Sequence, residues 1–174
     1  MKDFKALYSG KYGELYEPMR KAMSAMGKAM WHFAQIKEIT WAQWGFEGIT
    51  RAIHYLEHQQ PEYIDSFKGL MAMLGLPLIY PPIPDMPREF NSLSEVLEAC
   101  IGLVDEVNEA LSQFIEAADL SGYEPLARQA ENIQMQNFAP RAWLTQALTM
   151  SLNPNSESSV DSWLRGTLAP PMQG

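Results

Sequence analysis

Cysteine is nearly absent, since Cys100 is the only one among 174 residues. One cysteine excludes an internal disulfide framework, and the apolar residues spaced around Cys100 favour a buried, inert thiol. Long hydrophobic runs are missing as well: no stretch approaches the ~18 apolar residues of a membrane span, and the opening MKDFKALYSG lacks the apolar core of a signal peptide. We therefore expect a soluble protein without a membrane partner, retained in the cytoplasm.

Basic side chains are also scarce. Lys and Arg number 13 against 21 Asp and Glu, which gives a formal net charge of -8. Phosphate binding requires a basic surface, so this balance argues against nucleic acid as the main partner. The length is suited to one domain with a substantial core.

Apolar residues recur in alternating steps of four and three, the spacing of one helix face. One such stripe contains Ile49, Ile53, Leu56, Gln60, Tyr63, Phe67, Leu70 and Leu74. A later stripe, with most acidic residues on the opposite face, contains Leu93, Leu97, Cys100, Val104, Val107, Leu111 and Phe114. The spacing predicts two helices and turns Gln60 and Tyr63 inward.

Two further helices flank these. The earlier one has a stripe of methionines that we interpret as core filler, because thioethers pack adaptably and are poor ligands for hard cations; it contains Met19, Met23, Met26, Met30 and Phe33. The later one runs from about Glu124 to Ser151. No strand-like alternation competes with these helices.

A proline-rich segment separates the second and third helices. Residues 75–90, GLPLIYPPIPDMPREF, cannot be helical and favour an extended strap along the bundle, which would make those two helices parallel. The fold class is therefore all-α: a four-helix bundle with a long crossover between helices 2 and 3. We expect an N-terminal extension over residues 1–10, the bundle over 11–152, and a tail over 153–174 that can form a short fifth helix.

This arrangement resembles the ferritin family, in particular bacterial non-haem ferritins, from about Lys11 to Leu168. FEGITRAIHYLEHQQPEY is similar to the second helix of the family, the strap to its crossing loop, and GYEPLARQAENIQMQNF to the start of its fourth helix. SSVDSWLRGTL lies where the family has a fifth helix. The resemblance implies an oligomeric cage subunit related to iron storage, with iron as cargo.

The resemblance also implies that the di-iron ferroxidase ligands have been replaced. The family builds this centre from inward carboxylates and a Glu-x-x-His pair on the second helix. The positions that match these ligands hold other residues here: Gly27, Gln60, Tyr63, Val104, Gln136 and Ala139. If the register of the first helix slips by one residue, Met26 takes the place of Gly27. A similar slip in the third helix would bring Asp105 inward. We therefore expect no ferroxidase activity and no resident cofactor, and we expect that the protein is not an enzyme.

Two prolines fall close to these positions. Pro61 follows Gln60, and Pro140 follows Ala139. Each proline either begins a new, shorter helix, where proline is tolerated, or distorts a continuous helix by removing a hydrogen bond. The ferritin register favours the second interpretation.

The segment HYLEH matches His-x-x-Glu-His, in which two histidines one turn apart can bind zinc beside a glutamate. His54, Glu57 and His58 are therefore candidate metal ligands. The motif is short enough to occur by chance, and both histidines lie beside the apolar stripe, so exposed or subunit-facing side chains are the alternative. The acidic residues of this helix either collect cations or form a solvated face.

Tryptophan is abundant for one narrow bundle, and we expect Trp41, Trp44 and Trp163 at subunit contacts. Val160, Trp163, Leu164 and Leu168 have helical spacing in the tail, which either docks as a short helix or binds the groove of another protein.

Three functions remain open from the sequence. The first is a ferritin-like homo-oligomer that lacks its own oxidation centre, and that co-assembles with an active ferritin or mineralises iron on acidic residues. The second is a structural or interaction protein on the same scaffold without metal chemistry. The third is a metalloenzyme whose site has been relocated.

Overall fold

The computed structural model describes residues 13–73, 85, 89–153 and 155–167. Over these ranges the chain forms five helices and no strand: α1 (Gly13–Trp44), α2 (Glu47–Met73), α3 (Leu93–Leu120), α4 (Glu124–Ser151) and α5 (Glu157–Thr167). The predicted all-α class is confirmed, and the short fifth helix is present. The expected N-terminal extension over residues 1–10 lies outside the described residues.

The turns between paired helices have local causes. Gly45 ends α1 with φ +65°, and Gly122 follows α3 with φ +72°, a left-handed conformation that favours glycine. Beyond Gly122, the amide of Tyr123 donates to the Ala118 carbonyl at 2.8 Å, which closes the last turn of α3. Ser92 caps the start of α3 by accepting from the amide of Glu95. These turns produce two helical hairpins, α1–α2 and α3–α4.

Contacts between side chains fix the helix directions. Lys21 faces Gln113 while Lys28 faces Glu106, so α1 and α3 are antiparallel. The tight turn at Gly45 makes α1 and α2 antiparallel as well. It follows that α2 and α3 are parallel, and that the chain between Met73 and Leu93 connects opposite ends of the bundle.

The proline strap predicted over residues 75–90 lies mostly outside the described residues. At Asp85, which is described, the backbone carbonyl accepts a hydrogen bond of 2.8 Å from Nε2 of His32 in α1. Near the end of the connection, Gln43 of α1 donates to the Phe90 carbonyl at 2.9 Å. These two contacts place the described part of the connection against α1.

The core contains most of the residues that the stripes predict, but Leu70 of the α2 stripe is only partly buried and Leu74 lies outside the described residues. The seven members of the α3 stripe, from Leu93 to Phe114, are all buried, as are Met19, Met23 and Met26 of α1. Burial also raises the pKa of the Cys100 thiol to about 12, which agrees with an inert thiol. Met19, Met23 and Met26 are therefore core filler, as predicted, whereas Met30 is only partly buried.

Candidate functional site

The middle of the bundle contains four of the positions that the resemblance assigns to iron ligands. Gly27, Gln60, Tyr63 and Val104 are all buried. Met26, the alternative to Gly27, is also fully buried. Asp105 is only half-buried and pairs with Arg141 of α4, so the alternative register that would turn it into the core is wrong.

Gln60 and Tyr63 bring polar atoms into this apolar interior. Nε2 of Gln60 donates to the Leu56 carbonyl at a long 3.4 Å. Among the described residues, neither Oε1 of Gln60 nor the hydroxyl of Tyr63 has a hydrogen-bond partner, although a buried polar atom normally requires one. Burial also raises the pKa of Tyr63. The phenol therefore stays protonated and neutral at physiological pH.

The fourth helix differs from the prediction by one residue. Gln136 and Ala139 are exposed, and their places on the inward face are taken by Asn137 and Pro140. The exposure of Gln136 also excludes a polar cluster of that side chain with Gln60 and Tyr63. Asn137 is 1% exposed, and its Nδ2 donates to Oδ1 of Asn108 in α3 at 2.9 Å.

A sequence signal for Asn137 does exist. The inward residues of α4 follow the same alternation of four and three as the other helices: Leu126, Ala130, Ile133, Asn137, Pro140, Leu144 and Ala147. The apolar spacing therefore identifies the inward residues of α4. Aligning individual residues with the ferritin pattern does not.

Carboxylates are nearly absent from the interior. Among the described residues the only buried one is Asp161, which belongs to α5 and lies beside the start of α2. Glu57 is partly buried, but it lies at the α1–α2 surface and contacts Lys37. The described part of the four-helix core therefore has no buried anionic group that could balance a metal cation.

Both helices with central prolines are continuous. Pro61 lies inside α2 and Pro140 inside α4, so neither begins a new helix. Each proline leaves the carbonyl four residues earlier, at Glu57 or Gln136, without its usual donor.

His54, Glu57 and His58 form a cluster on the outer side of α2, and their candidate ligand atoms lie within 4.8 Å of one another. Nδ1 of His54 donates to Oε2 of Glu57 at 3.1 Å, and the same oxygen accepts from Nζ of Lys37 at 2.8 Å. Burial opposes ionisation of Glu57, but the hydrogen bonds from Lys37 and His54 outweigh it and lower the pKa of this carboxyl. The cluster therefore combines imidazoles with an ionised carboxylate.

The tail helix α5 docks on its own bundle. Val160 and Leu164 are fully buried. Oδ1 of Asp161 accepts from the backbone amide of Ile49 at 3.0 Å, in the first turn of α2, and Arg165 donates to the other oxygen. A carboxylate at this position supplies one of the acceptors that a helix N-terminus lacks. The predicted docking helix is thus present, with the chain itself as its partner, while Leu168 of the predicted spacing lies outside the described residues.

The candidate contact tryptophans have different surroundings. Trp44 and Trp163 are partly buried against the core of their own chain, whereas Trp41 is 54% exposed. Trp31, also on α1, is exposed as well. It lines a shallow depression with Gln35 and Ile39. Of the three predicted contact residues, Trp41 is the most exposed.

Comparisons with known proteins identify the architecture. No protein-family model and no curated protein matches this sequence. Among solved structures, an open-pore ferritin from the archaeon Archaeoglobus fulgidus is similar with a TM-score of 0.76 and 10% identity, over 87% of this chain and 94% of that chain. The M. penetrans ferritin is similar with a TM-score of 0.76 and 12% identity, over 88% of this chain and 95% of that chain.

A mycobacterial bacterioferritin is also similar, with a TM-score of 0.66 and 16% identity over 94% of this chain and 93% of that chain. Among the described helices, none is long and apolar enough to cross a lipid bilayer. Ferritin-like bundles have one long crossover, which agrees with the parallel directions of α2 and α3. The chain therefore has the ferritin-like fold.

Proposed function

We propose that this chain is an oligomer-forming, ferritin-like subunit related to iron storage that lacks a di-iron ferroxidase centre of its own. The observation that carries the proposal is the composition of the bundle interior around Gln60 and Tyr63. The inward groups there are an amide, a neutral phenol and the aliphatic Val104, with Asn137 on α4.

The chemistry of these groups opposes iron binding. Two iron cations in a buried site need carboxylates and imidazoles to supply negative charge and basic donors. An amide oxygen and a protonated phenol supply no negative charge, and a valine supplies no ligand. A cation placed here would remain uncompensated in an apolar interior, which is strongly unfavourable.

Exposed apolar side chains support an oligomer. Met135 and Phe138 of α4 are 74% and 75% exposed, and Trp41 of α1 is 54% exposed. Large exposed apolar groups that cluster on a surface are typical of contact regions. The similar solved structures are ferritins, so we propose a homo-oligomer, with or without an active ferritin as a second component.

The test measures Fe²⁺ oxidation by metal-free protein whose assembly mass has been determined by light scattering. Oxygen consumption after addition of about two Fe²⁺ per chain should match the protein-free background, because no ligand set holds a di-iron pair. An active ferritin measured at the same subunit concentration serves as the positive control. Rapid stoichiometric oxidation would overturn the proposal.

Iron loading distinguishes storage from a purely structural role. The chain is mixed with the active ferritin, and the assemblies are separated by mass before their iron content is measured. Iron retained in assemblies that contain this chain supports a storage role. Assemblies that exclude the chain, together with no iron uptake by the chain alone, would instead support an interaction protein without metal chemistry.

A further inference from the structure

The cluster on α2 has the spacing of a chelating site. His54 and His58 are one helical turn apart, and their ring centroids are 4.3 Å from each other at an interplanar angle of 81°. Glu57 lies between them in sequence and contacts His54. Side chains four residues apart on a helix lie on the same face. The continuous helix therefore holds three potential ligands on one rigid element.

The distances in the cluster suit a small divalent cation. Zinc is bound by imidazole nitrogen and carboxylate oxygen at about 2.0–2.2 Å, so neighbouring ligand atoms around a tetrahedral ion lie about 3.4 Å apart. Nδ1 of His54 and Oε2 of Glu57 are already 3.1 Å apart. His58 is exposed, and its ring can rotate without disturbing the core. Moving the His54 proton from Nδ1 to Nε2 makes Nδ1 available as a ligand, and small side-chain rotations would then bring the ligand atoms to binding distance.

Lys37 of α1 competes for the same carboxylate. Its Nζ lies 2.8 Å from Oε2 of Glu57, and both side chains are mostly shielded from solvent, at 19% and 21% exposure. The Glu57 carboxylate raises the pKa of Lys37, chiefly through this hydrogen bond. A cation bound to Glu57 would share its negative charge with the ammonium group or displace that group. The ion pair is therefore expected to weaken metal binding.

We propose that His54, Glu57 and His58 bind one divalent transition-metal ion of the zinc class, and that Lys37 occupies Glu57 when the metal is absent. Water completes the coordination. The mixed nitrogen and oxygen donor set favours zinc-like ions over Mg²⁺ and Ca²⁺, which prefer oxygen ligands. This site lies on the outer side of α2, so it does not depend on the absence of a ferroxidase centre.

The test is a calorimetric titration of chelator-treated, assembled protein with Zn²⁺. We expect saturable binding of one ion per chain, and the His58→Ala variant should bind at least tenfold more weakly because one ligand is lost. His32→Gln is the matched control, since the chain has only three histidines and His32 faces the Asp85 carbonyl instead. Its affinity for Zn²⁺ should equal that of the parent protein.

Replacing Lys37 gives a signature that unspecific binding would not reproduce. Lys37→Met removes the competing cation and should tighten Zn²⁺ binding by about threefold or more, the scale of a partly exposed ion pair. Substituted Co²⁺ should show the visible absorption of a low-coordinate site, and His58→Ala should abolish it. Circular dichroism without metal confirms that the exposed His58 substitution leaves the fold intact.

Three results would overturn the proposed metal site. The first is no saturable binding to the parent protein. The second is an equal loss of affinity in the His58→Ala and His32→Gln variants. The third is a stoichiometry of one ion per two chains, which would indicate a metal held between subunits. Unchanged affinity in Lys37→Met would refute the competition by Lys37.

Discussion

At the scale of single residues, Gly48 shows how closely α5 approaches α2. A Cβ atom added at Gly48 would lie 2.0 Å from the Asp161 carbonyl oxygen and 2.9 Å from the Arg165 amide nitrogen. Both are backbone atoms of α5, so the clash cannot be relieved by rotating a side chain. We expect Gly48→Ala to lower the free energy of unfolding by about 1–3 kcal/mol, as overpacking does, measured by chemical denaturation.

Gly102→Ala is the matched control. Gly102 also lies inside a helix, but a Cβ there would meet nothing within 4 Å. Alanine is a better helix former by about 1 kcal/mol, so this substitution should stabilise the protein. If Gly48→Ala stabilised the protein as well, helix propensity rather than the approach of α5 would dominate at Gly48.

The outcome at single positions shows where sequence reasoning succeeds. Gln60, Tyr63 and Val104 are inward as predicted, because each lies on an apolar stripe of regular spacing. Gln136 and Ala139 are not inward. Their predicted positions rest on similarity to a family with which this chain has few identical residues, and not on the apolar spacing of α4. In α4 the inward polar residue is Asn137, and its contact with Asn108 of α3 depends on a pairing between helices that spacing alone does not supply.

At the scale of elements, α2 contains an internal proline that it does not need for packing. Pro61 is exposed, and it cannot donate to the Glu57 carbonyl. An interior proline destabilises a helix by about 3 kcal/mol relative to alanine. Replacing it with alanine also makes the unfolded chain more flexible, which reduces the gain in folding stability by up to about 1 kcal/mol. We expect Pro61→Ala to raise the free energy of unfolding by about 2 kcal/mol, which thermal denaturation would report as a higher Tm.

Pro140→Ala provides the comparison in α4. Pro140 is buried, so alanine restores the donor but leaves space in the core, and such space is itself destabilising. The gain should be smaller than at Pro61. A Pro61→Ala variant with unchanged or lower stability would indicate that α2 has adapted to its proline through contacts that alanine loses.

The helices themselves are largely predictable. The α3 stripe and the part of the α2 stripe from Ile49 to Phe67 place their core residues correctly, and the expected boundaries of α4 match the observed ones. The attachment of α5 is not predictable in the same way. Its spacing indicates a docking helix, but the choice of the start of α2 as its partner depends on Gly48 and on the hydrogen bond between Ile49 and Asp161.

At the scale of the whole molecule, Trp41 is a direct test of assembly. Its ring is 54% exposed on α1, and a large aromatic ring in water is a strong candidate for burial by a second subunit. We expect Trp41→Lys to lower the mass of the assembly measured by light scattering, with the helical circular dichroism signal unchanged because the side chain lies outside the core.

Trp41→Phe separates apolar contact from a general effect of substitution. Phenylalanine keeps most of the apolar surface, so the assembly mass should remain that of the parent protein. A parent protein that is monomeric at micromolar concentration would contradict an interface at Trp41, and an assembled Trp41→Lys variant would direct attention to the exposed Met135 and Phe138 instead.

The hydrogen bond between Asp161 and Ile49 also has a consequence for biosynthesis. The two residues are 112 positions apart, and translation proceeds from α1 towards α5, with early elements able to fold first. The first turn of α2 therefore emerges from the ribosome long before its acceptor exists. This corner of the bundle reaches its native hydrogen bonding only after all four long helices have been translated.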